Sequence, residues 1–199
     1  MDTLRSEFIV RYYDIQKYPF ISLVCEVFGV KDLSLLHLER QDLLPSAELS
    51  FDNESKTGFH SSYYARQNNG WPGMRETYRN FVADLIGPWL GEPVYFQAMP
   101  TFRIHLPEQK AIHKWHYDSD SDHGHPLGEL NYQIALTPML PESATWCETR
   151  PRAEDFFPMV LLPGQFLQFN GNLCTHGNKK NTSGKTRVSL DFRVLPLRL

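Results

Sequence analysis

His116, Tyr117 and Asp118 put an imidazole and a carboxylate two residues apart, and a second imidazole, His176, follows far downstream. On an extended chain, residues i and i+2 point the same way, so His116 and Asp118 could reach one metal ion from a single strand end. Two histidines and one carboxylate are the ligand set of non-haem iron(II) sites that keep coordination positions open. Gly177, next to His176, would allow close approach of the chain there. Three protein ligands on one face of an octahedral ion leave three positions. A 2-oxo acid could chelate two of them and dioxygen could take the third. The far carboxylate of such a dicarboxylate needs a cation and a hydroxyl. Arg187 and Ser189 share one face of a period-two stretch and offer both; the planar guanidinium fork matches a carboxylate.

Each of these signals has a plainer explanation when taken alone. His116 could be a surface histidine, His176 a satisfied core histidine, and Arg187 the ion-pair partner of Asp191. A competing cluster is also present: His113, His116, His123 and His125 lie near Asp118, Asp120 and Asp122. Zinc could bind there, or the Ser119 to His125 run could be a solvated turn with incidental histidines. Substrate contacts could come from His113, from Trp146 and Glu148 at a pocket mouth, and from Arg103, which could instead be a structural ion-pair partner. Asp120, Asp122 and Glu129 give the loop after the first motif an acidic character. That suits a cationic or polyhydroxylated small molecule, such as an amino acid or an aminosugar, or simply a solvated surface.

These residues need elements to hold them. In the first half, Phe20, Leu23, Val24, Val27 and Phe28 recur at helical spacing between Pro19 and Gly29, which predicts a helix. A second helix is expected from Met74 to Ile86, stopped by Gly87-Pro88. Leu44 to Gly73, rich in Ser, Asn, Gly and aromatics, reads as a long loop of the kind that forms lids or binding loops. In the second half, period-two alternation predicts strands at Thr101 to Leu106, Leu130 to Thr137 and Arg187 to Val194. Val160 to Leu162 and Phe166 to Phe169 flank a Pro163-Gly164 turn. Helices followed by alternating strands imply a sandwich or barrel buttressed by helices. The polar residues of each strand would then face a lumen. The expected organisation is one domain over 1–199, with a helical buttress and loop at 1–92 and the strand core at 93–199.

The chain has 199 residues, 41% hydrophobic and 22% charged, with a formal net charge of −3. These values fit a folded globular chain and leave no basic stripe for nucleic acid. No apolar run is long enough to span a bilayer. Cys25, Cys147 and Cys174 are odd in number and scattered, which fits a reduced, cytoplasmic setting better than a disulfide framework.

The sequence resembles the iron(II)/2-oxoglutarate-dependent oxygenases. The resemblance runs from Tyr95 to Pro196 and is strongest from Asn172 to Arg193, where His176-Gly177, Asn181, Ser183-Gly184 and Arg187-Val188-Ser189 follow the family's pattern. Pro163-Gly164-Gln165 matches the turn that precedes the distal histidine. The likeness extends to a small branch that includes a streptomycin-biosynthesis protein, through Pro100 to His105 and Ala144 to Glu148. The resemblance implies a mainly β fold with flanking helices, the double-stranded β-helix (a jelly roll, cupin-like). It implies iron(II) on His116, Asp118 and His176, and 2-oxoglutarate on Arg187 and Ser189, with Arg193 as the alternative anchor. Asp118 separates the chain from the family's halogenases, which carry a small residue there. The implied reaction is hydroxylation or a related oxidation, consuming dioxygen and releasing succinate and carbon dioxide; the small size of the chain favours a small polar metabolite as substrate. The alternatives are a cupin-like metalloenzyme that does not use 2-oxoglutarate, and a non-enzymatic carbohydrate-binding β-sandwich.

Overall fold

The structure is a computed structural model that describes residues 8–45, 57–109, 115–120 and 122–197. In chain order it places β1 (Ile9–Tyr12), α1 (Phe20–Phe28), α2 (Leu36–Glu39), α3 (Gly58–Asn68), α4 (Pro72–Phe81), α5 (Gly87–Leu90), β2 (Val94–Phe96), β3 (Thr101–His105), β4 (Leu130–Ala135), β5 (Thr145–Cys147), β6 (Phe157–Pro158), β7 (Gln165–Phe169), β8 (His176–Asn178) and β9 (Arg187–Pro196). The larger sheet runs β1-β7-β4-β9-β2, with β3 also paired to β9, and a smaller sheet runs β6-β5-β8. All the pairings are antiparallel. The architecture is that of the double-stranded β-helix.

Strand alternation sorts the side chains onto two faces. On β9, Val188, Leu190, Phe192 and Val194 join Phe102, Ile104, Tyr132 and Ile134 in a core shared with the helices. Tyr63 of α3 stacks on Phe102 at 4.6 Å, and Phe81 of α4 meets Phe166 edge-on at 5.1 Å. A smaller core lies on the opposite side. There Ala135, Leu167 and Phe169 of the large sheet pack with Cys147 of β5 and with Met139, Met159, Leu161 and Cys174. The alternate residues of β9 (Arg187, Ser189, Asp191 and Arg193) therefore point away from the helices, where a polar lumen was expected.

α1 forms as its spacing predicts. Pro19 precedes it, and Gly29 ends it with φ +66°, a left-handed conformation that glycine adopts without strain. Four expectations need correction. The Leu44 to Gly73 stretch is not a loop throughout, because α3 occupies Gly58–Asn68. Only Phe59, His60 and Tyr63 of α3 are buried, so its apolar stripe is too narrow to show as periodicity; the part of that stretch at 46–56 lies outside the described residues. The second helix starts earlier, at Pro72, and does not stop at Gly87-Pro88. Val82–Ile86 forms a wide π turn, after which Pro88 falls in the first turn of α5, where a missing N–H costs nothing. Gly91, with φ +69°, is the actual stop. The first half also contains a strand, β1, which adds an edge to the large sheet against β7. Finally, Val160 to Leu162 is not a strand: Leu161 makes a single bridge to Met139, and the strand before the Pro163-Gly164 turn is β6.

Candidate metal centre

Two chain segments meet at the site. His116 and His176 exchange backbone hydrogen bonds at 3.1 and 2.8 Å, which sets their side chains side by side. The Asp118 N–H donates to Gly171 O at 2.9 Å and that of Ser119 to Asn172 O at 3.1 Å, so the loop before β8 also fixes the carboxylate. The result is a cluster in which one ligand atom each of His116, Asp118 and His176 lies within 4.8 Å of the others. Asp118 Oδ1 faces His116 Nε2 at 3.5 Å and His176 Nε2 at 3.7 Å. Mutually perpendicular ligands about 2.1 Å from a divalent ion lie roughly 3 Å apart, so a slight contraction would close these atoms on one ion.

The donor atoms suit a metal. Asp118 is fully buried, and its Oδ1 has no hydrogen-bond partner, a costly arrangement unless a cation occupies the space. Its Oδ2 accepts from Asn131 Nδ2 at 2.6 Å and Arg193 Nε at 2.8 Å. Burial pushes the Asp118 carboxyl up, but the neighbouring His116, the Arg193 hydrogen bond and the nearby His176 outweigh it and hold the group well below the usual carboxylate range. Burial takes His176 down to about 4 against the opposing pull of Asp118, so its imidazole is neutral at pH 7, the form that ligates. His176 Nδ1 lies 3.1 Å from Cys174 O. That contact places the proton on Nδ1 and would leave Nε2 to ligate an ion.

A cavity, partly open to solvent, runs from this cluster past Gln133, Thr145 and Asn178 to Arg187. Arg187 is 2% exposed; its Nε donates to Ser143 O at 3.3 Å and its Nη1 to Ser189 Oγ at 3.2 Å. The pairing of Arg187 with Asp191 that the sequence allowed is replaced by an Arg103–Asp191 pair at 3.2 Å. Arg103 lines the same cavity.

The remaining site expectations divide. Trp146 and Glu148 are not on the cavity wall. Lys179 lies over the Trp146 ring at 3.3 Å, and Glu148 is buried with its oxygens accepting the Thr175 N–H at 2.7 Å and the Glu154 N–H at 3.0 Å. Glu148 thus braces the turn that leads into His176. His113 lies outside the described residues. The competing histidine cluster does not converge among the described residues. His123 stacks flat on His116 at 4.2 Å and bonds Asp120 at 2.7 Å, while His125 bonds Glu129 at 3.0 Å. Asn131 and the Asp118 contact of Arg193 were not expected. Asn131 stands at an inward position on β4, in register with Arg193 on β9, so a polar residue at an inward strand position was the available signal.

No family model matches the chain. The streptomycin biosynthesis protein StrG of Streptomyces griseus is 33% identical over 184 residues, 92% of this chain and 82% of StrG. The chain belongs to the StrG family. Solved structures share the fold of this StrG-family chain at lower identity. HygX from Streptomyces hygroscopicus, with nickel and 2-oxoglutarate bound, superposes with a TM-score of 0.57 at 10% identity, covering 97% of this chain and 84% of its own. EctD from S. alaskensis with bound Fe gives a TM-score of 0.58 at 16% identity, covering 96% and 72%. The StrG-family chain thus combines a double-stranded β-helix with a two-histidine, one-carboxylate cluster inside it, an arrangement that supports an oxygenase-type reaction. No helix among its described residues is long and apolar enough to cross a membrane.

Proposed function

We propose that the protein is an iron(II)- and 2-oxoglutarate-dependent oxygenase that hydroxylates a small polar metabolite of the amino-acid or aminosugar type. The observation that carries this reading is the pairing, within one cavity, of the His116–Asp118–His176 cluster with the buried Arg187. When bound, iron(II) with 2-oxoglutarate would supply activation of dioxygen, with release of succinate and carbon dioxide. His116 and His176 would hold the ion through Nε2 and Asp118 through Oδ1. Arg187 and Ser189 would take the far carboxylate of 2-oxoglutarate. A guanidinium already shielded from water strengthens such a pairing. Arg103 and Asp191, on the same cavity, are the candidates for substrate contact. The choice of a small metabolite is supported by the StrG relative, a biosynthesis protein.

The test is oxygen uptake and succinate formation with iron(II), 2-oxoglutarate and a panel of amino acids and aminosugars. The reading expects one class of compound to raise succinate release in proportion to hydroxylated product, and His176→Ala to abolish it. Product formed without succinate would point instead to a metalloenzyme that does not use 2-oxoglutarate.

A further inference from the structure

We propose that Arg193 and Asn131 hold Asp118 to coordination through a single oxygen, and so keep a third position on the metal exchangeable. The inference rests on the metal site proposed above. A carboxylate can chelate a divalent ion through both oxygens or bind it through one. Chelation would take two of six positions, and together with two histidines it would leave two. Those suffice for a 2-oxo acid and leave no place for dioxygen.

The geometry commits Oδ2 elsewhere. A carboxylate oxygen has two lone pairs to offer, and Asp118 Oδ2 accepts two donors, Asn131 Nδ2 at 2.6 Å and Arg193 Nε at 2.8 Å. Oδ1 has no hydrogen-bond partner and faces both histidines. Each donor is itself fixed. Asn131 is 6% exposed on the central strand β4. Arg193 lies on β9, and the Glu129 carboxylate stands 3.9 Å from its Nε while accepting from or facing His125 at 3.0 Å. Turning Oδ2 onto the metal would break two short charge-assisted hydrogen bonds, one of them an ion pair. The same contact separates the two arginines that share the inner face of β9. Arg193 serves the metal carboxylate at one end of the cavity, and Arg187 stands at the other.

As positioning residues, Arg193 and Asn131 should be read out on the metal as well as on turnover. The experiment compares wild type, Arg193→Leu, Arg193→Lys and Asn131→Ala. Manganese(II) affinity is measured by the electron paramagnetic resonance of the free ion. Arg193→Leu and Asn131→Ala should weaken it by ~10–100-fold, the usual cost of losing an outer partner of a ligand, and Arg193→Lys should recover part of the loss. Each protein is then saturated anaerobically with iron(II) and 2-oxoglutarate and exposed to nitric oxide, which takes the position that dioxygen would use. Arg193→Leu and Asn131→Ala should keep the visible band of chelated 2-oxoglutarate but lose most of the spin-3/2 nitrosyl signal. A full nitrosyl signal in both variants would overturn the proposal, whether or not metal affinity falls. If Arg193→Leu does not fold, as judged by near-ultraviolet circular dichroism, Asn131→Ala and Arg193→Lys carry the same comparison. If wild type shows no 2-oxoglutarate band, the co-substrate reading fails. The positioning role then stands or falls on manganese affinity, and undiminished affinity in Arg193→Leu and Asn131→Ala would overturn it.

Discussion

At Asp118 the two carboxylate oxygens have separate tasks: Oδ1 faces the histidines and Oδ2 is held by Asn131 and Arg193. The ligand types and their i, i+2 spacing were readable in the sequence, because that spacing is a property of extended chain. The partners of Oδ2 were not, because they depend on the pairing of β4 with β9. Arg187 is the residue whose role is easiest to isolate. Charge-assisted hydrogen bonds contribute about 1.5–3 kcal/mol each, so Arg187→Ala should weaken 2-oxoglutarate by roughly 10–100-fold while manganese(II) affinity stays at the wild-type level. Equilibrium titration of both ligands checks this, and equal losses in both would show that Arg187 is merely structural. Glu148→Ala should behave differently. It leaves the Thr175 and Glu154 N–H groups without their acceptor, at a cost of about 1–3 kcal/mol. Chemical denaturation should show that loss, together with weaker metal binding through the displaced turn into His176.

Among the elements, β9 carries the account, and its alternation of apolar and polar residues made it legible. The helix side takes Val188, Leu190, Phe192 and Val194, and the lumen takes the polar partners. α3 was hidden because most of its residues are polar and it buries only three. β5 and β8 were hidden because three residues are too few to establish a period. The loop before β8 is tightly fitted. A Cβ on Gly171 would sit 2.7 Å from the Phe169 ring and 2.9 Å from Asn131 Cγ. Gly171→Ala should therefore cost about 1–3 kcal/mol, as overpacking does, and weaken metal binding by moving Asn131. The atoms nearest a Cβ on Gly177 belong to the Trp115 ring, at 3.0 Å, and Trp115 is 38% exposed. Gly177→Ala should thus be the milder of the two in thermal melts, and the reverse order would contradict this packing.

For the whole molecule, burial of neutral histidines links stability to pH. His60 and His105 are each brought down to about 4, first by burial and then by the neighbouring Arg103 and Arg187 charges. A base whose folded value lies below its unfolded value of about 6.5 binds more protons when unfolded. Its contribution is full above pH 6.5 and is lost as pH falls from there toward 4, by up to about 3 kcal/mol per histidine. Denaturation at pH 7.5, 6 and 5 should show this decline, and His105→Gln should flatten it; a constant midpoint would refute the linkage. The helix-backed β architecture was legible because helices precede alternating strands. The passage of the helix through Pro88 was not, because it depends on a π turn that tertiary packing selects. The central claim is that one cavity binds iron(II) and 2-oxoglutarate together. Anaerobic titration of the apoprotein with both, followed in the visible range, tests it most directly. The account predicts a charge-transfer band that needs both components, disappears in His176→Ala and requires more 2-oxoglutarate in Arg187→Ala. Folded protein that binds iron(II) and gives no band would contradict it.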